Sequence, residues 1–180
     1  IVFLLLSLIF FYYGIFQKNE YFKNKLEENP FTIRIIGSNI SLDRFYEDIQ
    51  AETIINELIS ISSPEKGKNI LFIWPEGIIP DTYQDELNLY KDIFTKYFDK
   101  NHLIALGITK REIQNKKYKY FNSFSIFDKE LELKDSYNKI KLVPFGEFLP
   151  LEKILKKIGF KTITNNIESF SRGENREFFK

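Results

Sequence analysis

The chain has 180 residues, 43% hydrophobic and 28% charged, enough for one ordinary domain with a real core and too apolar for global disorder. Its 26 Lys and Arg are balanced by 25 Asp and Glu and interspersed with them, so there is no basic stripe of the kind nucleic acids require, and Lys116-Lys117 and Lys156-Lys157 read as solvated surface. The absence of cysteine excludes disulfides and thiolate metal sites, and a single histidine, His102, argues against a histidine metal centre or a Ser-His triad. His102 falls between a Lys-Asn turn and an apolar run, and reads as an exposed or half-buried loop residue.

In chain order, Ile1–Phe16 carries no charge and is followed at once by Gln-Lys-Asn-Glu. A helix of that length rises roughly 24 Å, short of the ~30 Å hydrocarbon core of a bilayer. A signal peptide would show a basic start and a small-residue cleavage site, and a core helix a polar face; neither is present. The end of a membrane span fits best, with Tyr12, Tyr13 and Phe16 in the interfacial belt. The lack of any Met is what a piece of a longer protein would show. Residues 17–30 read as a polar connector and 31–180 as one domain.

Within that domain the pattern alternates. Thr32–Ile36 reads as a strand ending at Gly37, and 43–62 as a helix with Asp43 at its N-cap. After a turn over 63–69, Ile70–Trp74 is an apolar strand of the kind buried on both faces. Asp81 and Gln84 resemble a capping box opening a second helix that closes at 99–101. Leu103–Thr109 is a further buried strand. Tyr118–Phe127 alternates as an antiparallel, half-exposed strand and turns at 128–130 into a strand over 137–143. A short helix over 150–158, with Gly159 as its stop, completes the recognisable elements. The order β-α-β-α-β-β-β specifies an α/β layered domain.

Three ionisable residues stand out. In Leu71-Phe-Ile-Trp-Pro-Glu-Gly77, Pro75 halts an apolar strand and delivers Glu76 at its C-terminal end, where ligands bind in α/β folds. Burial there would suit Glu76 to general-base work near neutral pH; a turn or capping carboxylate ahead of the second helix answers to the same spacing. In Tyr137-Asn-Lys-Ile-Lys-Leu-Val-Pro-Phe-Gly-Glu-Phe-Leu-Pro150, alternation alone puts Lys139 and Lys141 on a solvated face. Glu147, eight residues on across a Pro-Phe-Gly turn, could instead pair with Lys139 and hold its charge toward a substrate oxygen.

These two segments resemble the apolipoprotein N-acyltransferase family, membrane enzymes of the nitrilase (carbon–nitrogen hydrolase) superfamily. Gly37-Ser38-Asn39-Ile40 is similar to the family's glycine-asparagine strand end, Phe170-Ser-Arg-Gly173 to its later glycine turn, and Ile1–Phe16 to the span before its soluble domain. The resemblance implies a nitrilase-like αββα sandwich, here incomplete, on the outer, periplasmic side of the bacterial inner membrane. It places Glu76 on the general base, Lys139 on the oxyanion-stabilising lysine, Glu147 on the supporting glutamate and Tyr46 on an aromatic near the pocket. It further implies a phospholipid acyl donor, an apolipoprotein acceptor, and no cofactor, metal or nucleic acid. The family's nucleophilic Cys follows the glycine turn, beyond Lys180, so the expectation is a fragment that is inactive alone. A soluble nitrilase or amidase, which the apolar start and the Leu-Val-Pro-Phe-Gly-Glu run argue against, and a non-catalytic membrane-anchored remnant, which the absent Cys favours, are the alternatives.

Overall fold

The computed structural model of the chain describes residues 2–23, 31–39, 50–114, 116–151, 157 and 169–174. It divides into two units, 1–30 and 31–180. The first is helix α1, Val2–Lys23. The helix does not stop at Phe16: the polar residues after it contain no Pro or Gly, and Gln17 donates to the Tyr13 hydroxyl at 2.7 Å while Lys23 meets Glu20 at 3.4 Å, one turn apart. Half of the expected connector is therefore helical, and Val2–Tyr21 is long and apolar enough to cross a bilayer.

The second unit is built on β1 (Thr32–Ile35), α2 (Ala51–Ser62), β2 (Ile70–Glu76), a 3₁₀ turn (Leu87–Tyr90) running into α3 (Lys91–Tyr97), β3 (His102–Gln114), β4 (Lys117–Phe127) and β5 (Leu133–Asn138). The five strands form one sheet in sequence order; β1, β2 and β3 are parallel, and β3, β4 and β5 antiparallel. The parallel pairs are joined through α2 and α3, as parallel connections require. One sheet face, carrying Ile70, Phe72, Trp74, Ile104, Leu106 and Phe127, buries against Ile54, Ile55, Leu58 and Ile59 of α2 and Phe94 of α3. Trp74 is nearly sealed there, and its indole N–H donates to Ser62 Oγ at 2.9 Å.

Several sequence expectations change at this level. β2 is buried on the helix-covered face only; Leu71 and Ile73 on the other are half-buried. Asp81 and Gln84 form no capping box: Asp81 has φ 44°, and the Gln84 N–H bonds to Thr109 O at 2.8 Å, so the chain at Tyr83 extends the sheet alongside β3 where β2 has left off. His102 is fully buried at the start of β3 instead of lying in a loop, because Phe72 and Phe98 pack edge-on to its ring and the loop at Glu65 closes over it. The last strand ends at Asn138, which leaves Lys139 in the following turn. The proposed Asp43 cap, Ile40, Tyr46 and most of the 150–158 helix lie outside the described residues.

Candidate active site

A bulge decides where Glu76 points. Ile73 pairs with Ala105 but Glu76 with Gly107, so β2 carries one extra residue at Trp74-Pro75. Proline has no N–H to give to the ladder and is found at such irregularities. Without the extra residue Glu76 would share the face of Trp74, under the helices. With it, Glu76 turns to the opposite face, the one shared by Gly107, Phe124 and Asn122. Gly107 makes the approach possible: a Cβ there would stand 2.8 Å from the Glu76 Cα. Gly77, at φ 59°, then takes the chain away while its N–H bonds to Gly107 O at 3.2 Å.

Lys139 arrives from the other side. Its N–H donates to Asn122 O at 2.8 Å, prolonging the β4–β5 ladder by one bond, and its carbonyl accepts from Gly173 N at 3.0 Å. The Val143–Phe148 segment folds into a tight turn, with Glu147 N–H on Val143 O at 2.9 Å and Phe145 N–H on Phe148 O at 2.7 Å. That turn aims the Glu147 carboxylate inward: Oε2 accepts the Val143 N–H at 2.7 Å and Oε1 the Lys139 ammonium at 2.9 Å. The 169–174 segment closes the arrangement from behind through Phe170 N–H to Glu147 O and Ser171 N–H to Tyr120 O, at 2.8 and 2.7 Å. Gly173 is obligatory, since a Cβ there would fall 2.2 Å from Asn138 O.

The three ionisable residues singled out in the sequence therefore converge. Lys139 Nζ lies 3.3 Å from Glu76 Oε1 and 2.9 Å from Glu147 Oε1. A fourth residue escaped the sequence reading: Asn122 Nδ2 donates to both carboxylates, to Glu76 Oε1 at 2.5 Å and to Glu147 Oε1 at 2.6 Å. Its only sequence signal is a polar side chain facing the half-exposed side of an alternating strand. Together Lys139 and Asn122 let two like charges share one small volume, with a net charge of −1.

The two carboxylates are not equivalent. The Glu147 side chain is 11% exposed and Glu76 60%. The burial expected around Glu76 is thus not supplied by the described residues; it presents its carboxylate to solvent. Burial works to raise the Glu147 pKa, but the Lys139 ammonium, the Val143 N–H and the Asn122 amide outweigh it and hold it below the usual glutamate value. For Lys139, burial works to lower the pKa, and the hydrogen bond it donates to Glu147, with the charges of both carboxylates, reverses that and holds it above the usual lysine value. The result is an obligatory ammonium, a locked carboxylate behind it, and an open carboxylate in front. Such a set can accept a proton at Glu76 and offer positive charge to a developing oxyanion. Among the described residues no group of His, Asp and Glu is arranged to hold a metal ion.

The sequence is similar to curated apolipoprotein N-acyltransferases of several bacteria. It is 29% identical to that of Caulobacter vibrioides over 152 residues, 80% of this chain and 29% of the relative. It is 30% identical to that of Rhizobium etli over 121 residues, 66% of this chain and 23% of the relative. It is 29% identical to that of Geobacter metallireducens over 146 residues, 80% and 28%. The chain thus spans less than a third of the length of these relatives. No family model matches. Among solved structures, the carbon–nitrogen hydrolase from Helicobacter pylori G27 superposes with a TM-score of 0.43 at 14% identity, covering 79% of this chain and 44% of that one.

Proposed function

We propose that this chain, a sequence relative of the apolipoprotein N-acyltransferases over four fifths of its length, supplies the base and the oxyanion-stabilising half of an acyl-transfer site. The observation that carries this reading is the Glu76–Lys139–Glu147 cluster, assembled from the very segments that resemble the family. Glu76 is the general base, Lys139 the cation that holds a developing oxyanion, and Glu147 the group that keeps Lys139 charged and aimed. The chain contains no cysteine, so a thiol nucleophile comes from outside these 180 residues.

In the first half-reaction the thiol gives its proton to Glu76 and the sulfur attacks an ester carbonyl of a phospholipid. The oxyanion that forms lies against Lys139. Collapse breaks the ester bond, and the departing lysophospholipid oxygen takes the proton back from Glu76. In the second, the N-terminal amine of a diacylglyceryl-cysteine on an apolipoprotein attacks the thioester. Glu76 receives the amine proton and the thiolate leaves. The setting is the periplasmic face of the inner membrane, with Val2–Tyr21 as an anchor. Tyr46, which lies outside the described residues, is assigned to the pocket wall on the resemblance alone.

The test is a chimera in which this chain is continued by the cysteine-bearing C-terminal part of a relative. Phospholipid-dependent acylation of a lipopeptide should appear in the chimera, vanish with Glu76→Gln, and be absent from the 180-residue chain alone. A chimera indifferent to Glu76→Gln, or turnover by the chain alone above its Glu76→Gln control, would refute the assignment.

A further inference from the structure

The β3–β4 hairpin projects past the candidate site and ends in an unusual tip. Ile113 and Tyr118 stand directly opposite one another in the register, 69% and 55% exposed. Around them Lys116, Lys117 and Lys119 are exposed and make no ion pair among the described residues. Lys116, immediately before β4, has φ 62°, a left-handed conformation that hairpin turns usually assign to Gly or Asn. Further in, the charges are neutralised: Lys110 pairs with Glu112 at 2.7 Å, and Arg111 with Asp85 and Glu86 at 2.8 and 2.7 Å. Along this hairpin, the positive charge without an ion pair among the described residues therefore lies at the tip, together with its two large exposed apolar side chains.

The hairpin is also braced. Tyr118 stacks on Tyr120 with ring centroids 6.2 Å apart, Tyr120 lies 5.9 Å from Tyr83, and the Arg111 guanidinium covers the Tyr83 ring at 4.3 Å. A hairpin end that presents one aliphatic, one tyrosine and three lysines without an ion pair among the described residues offers point contacts, unlike the lined groove that receives a peptide. It does have the composition that partitions into a headgroup layer, where tyrosine is favoured and lysine stems lie along the apolar boundary with their ammonium groups at phosphate level.

We propose that the tip of the β3–β4 hairpin docks end-on onto an anionic phospholipid bilayer, Ile113 and Tyr118 entering the interface and Lys116, Lys117 and Lys119 contacting lipid phosphates. A chain tethered by Val2–Tyr21 needs only a weak second contact, because the tether raises the local concentration of surface. Tyr118, Tyr120 and Asn122 alternate along one face of β4, so docking sets the Glu76–Lys139 cluster roughly 14 Å from the tip at about 3.4 Å per residue. The proposal goes beyond the acyl-transfer reading and does not require it, since lipid contact is measurable without turnover.

The absence of cysteine permits a single-site label on the full chain. With an environment-sensitive fluorophore at Gln114→Cys, emission should shift to the blue and be quenched by spin-labelled lipid in vesicles of phosphatidylcholine with phosphatidylglycerol. Phosphatidylcholine alone should give neither change. Each lysine near an anionic surface contributes about fivefold to the docking equilibrium. Lys116→Glu with Lys117→Glu and Lys119→Glu should accordingly abolish the quenching, as should high salt. A label at Asn56→Cys, exposed on α2, should stay unquenched. The proposal fails if the Gln114→Cys label is quenched no more than the Asn56→Cys label, or equally without anionic lipid. It fails also if the blue shift persists at high salt and in the triple Lys→Glu variant, which would assign the tip to an apolar contact without lipid phosphates.

Discussion

The two ends of the sheet carry polar clusters of similar size and opposite design. At the N-terminal ends of β2 and β3, the polar side chains are spent mainly on backbone. His102 Nδ1 accepts the Asp99 N–H at 3.0 Å and its Nε2 meets Glu65 O at 3.0 Å. Asp99 accepts from Gly67 and Asn101 N–H, and Arg34 donates to Ser62 O and Ser63 O at 2.7 Å each. At the C-terminal end of β2, Glu76, Asn122, Lys139 and Glu147 bond chiefly to one another. Side chains tied chiefly to carbonyls and amides fix loops. Side chains tied to one another pool charge, and Glu76 keeps most of its surface free. The first arrangement is a clasp, the second a reagent.

Substitutions should separate the two accordingly. The largest effect is expected for Lys139→Ala in the cysteine-bearing chimera, at least the ~10²–10³-fold loss of turnover typical of one oxyanion donor, with urea unfolding changed far less. Equal losses of stability and turnover would make the cluster a clasp too. At the other end His102→Ala, which empties a buried site, orphans the Asp99 N–H and leaves Glu65 O with the longer bond from Lys68 N–H alone, should cost about 2–4 kcal/mol of stability, read from the urea midpoint, with little change in turnover per folded molecule. Gly107→Ala crosses the boundary between the two: its Cβ meets the Glu76 backbone at 2.8 Å, so roughly 1–3 kcal/mol of overpacking should come with a turnover loss that Lys139→Ala does not deepen additively.

The smallest expected effect is in pH. The Glu147 pKa is lowered, so its contribution to stability is full above the ordinary carboxylate value of 4.5 and fades as pH falls through the lowered one. The Lys139 pKa is raised, so its contribution is full below 10.5 and fades as pH rises through the raised one. Glu147→Gln should remove the acid limb of this dependence in pH-resolved urea unfolding and leave the alkaline limb shallower.

Much of this was legible in the sequence where spacing is short. The eight residues from Lys139 to Glu147 enclose a Pro-Phe-Gly turn, and such a turn returns the chain upon itself; the order of strands and helices followed from apolar runs of the expected length. What escaped depends on distance or on a single extra residue. Asn122 meets Glu76 across 46 positions, and nothing in an alternating strand distinguishes it from any other outward polar residue. The Trp74-Pro75 bulge changes the face of Glu76 without altering composition. His102 appeared to be a loop residue because the carbonyl that satisfies it lies 37 positions away. Asp81 and Gln84 matched a capping pattern, but sheet pairing at Thr109 offered that backbone a better partner than a helix start.

Trp74 is the chain's only tryptophan. It is sealed against Phe94 and bonded to Ser62 at the end of α2, two residues from Glu76. Its emission is therefore a built-in optical probe of one place: whether α2 and α3 are seated on the strand that bears the candidate base. Unlabelled protein can report, from its own ultraviolet fluorescence, the state of the support beneath that carboxylate.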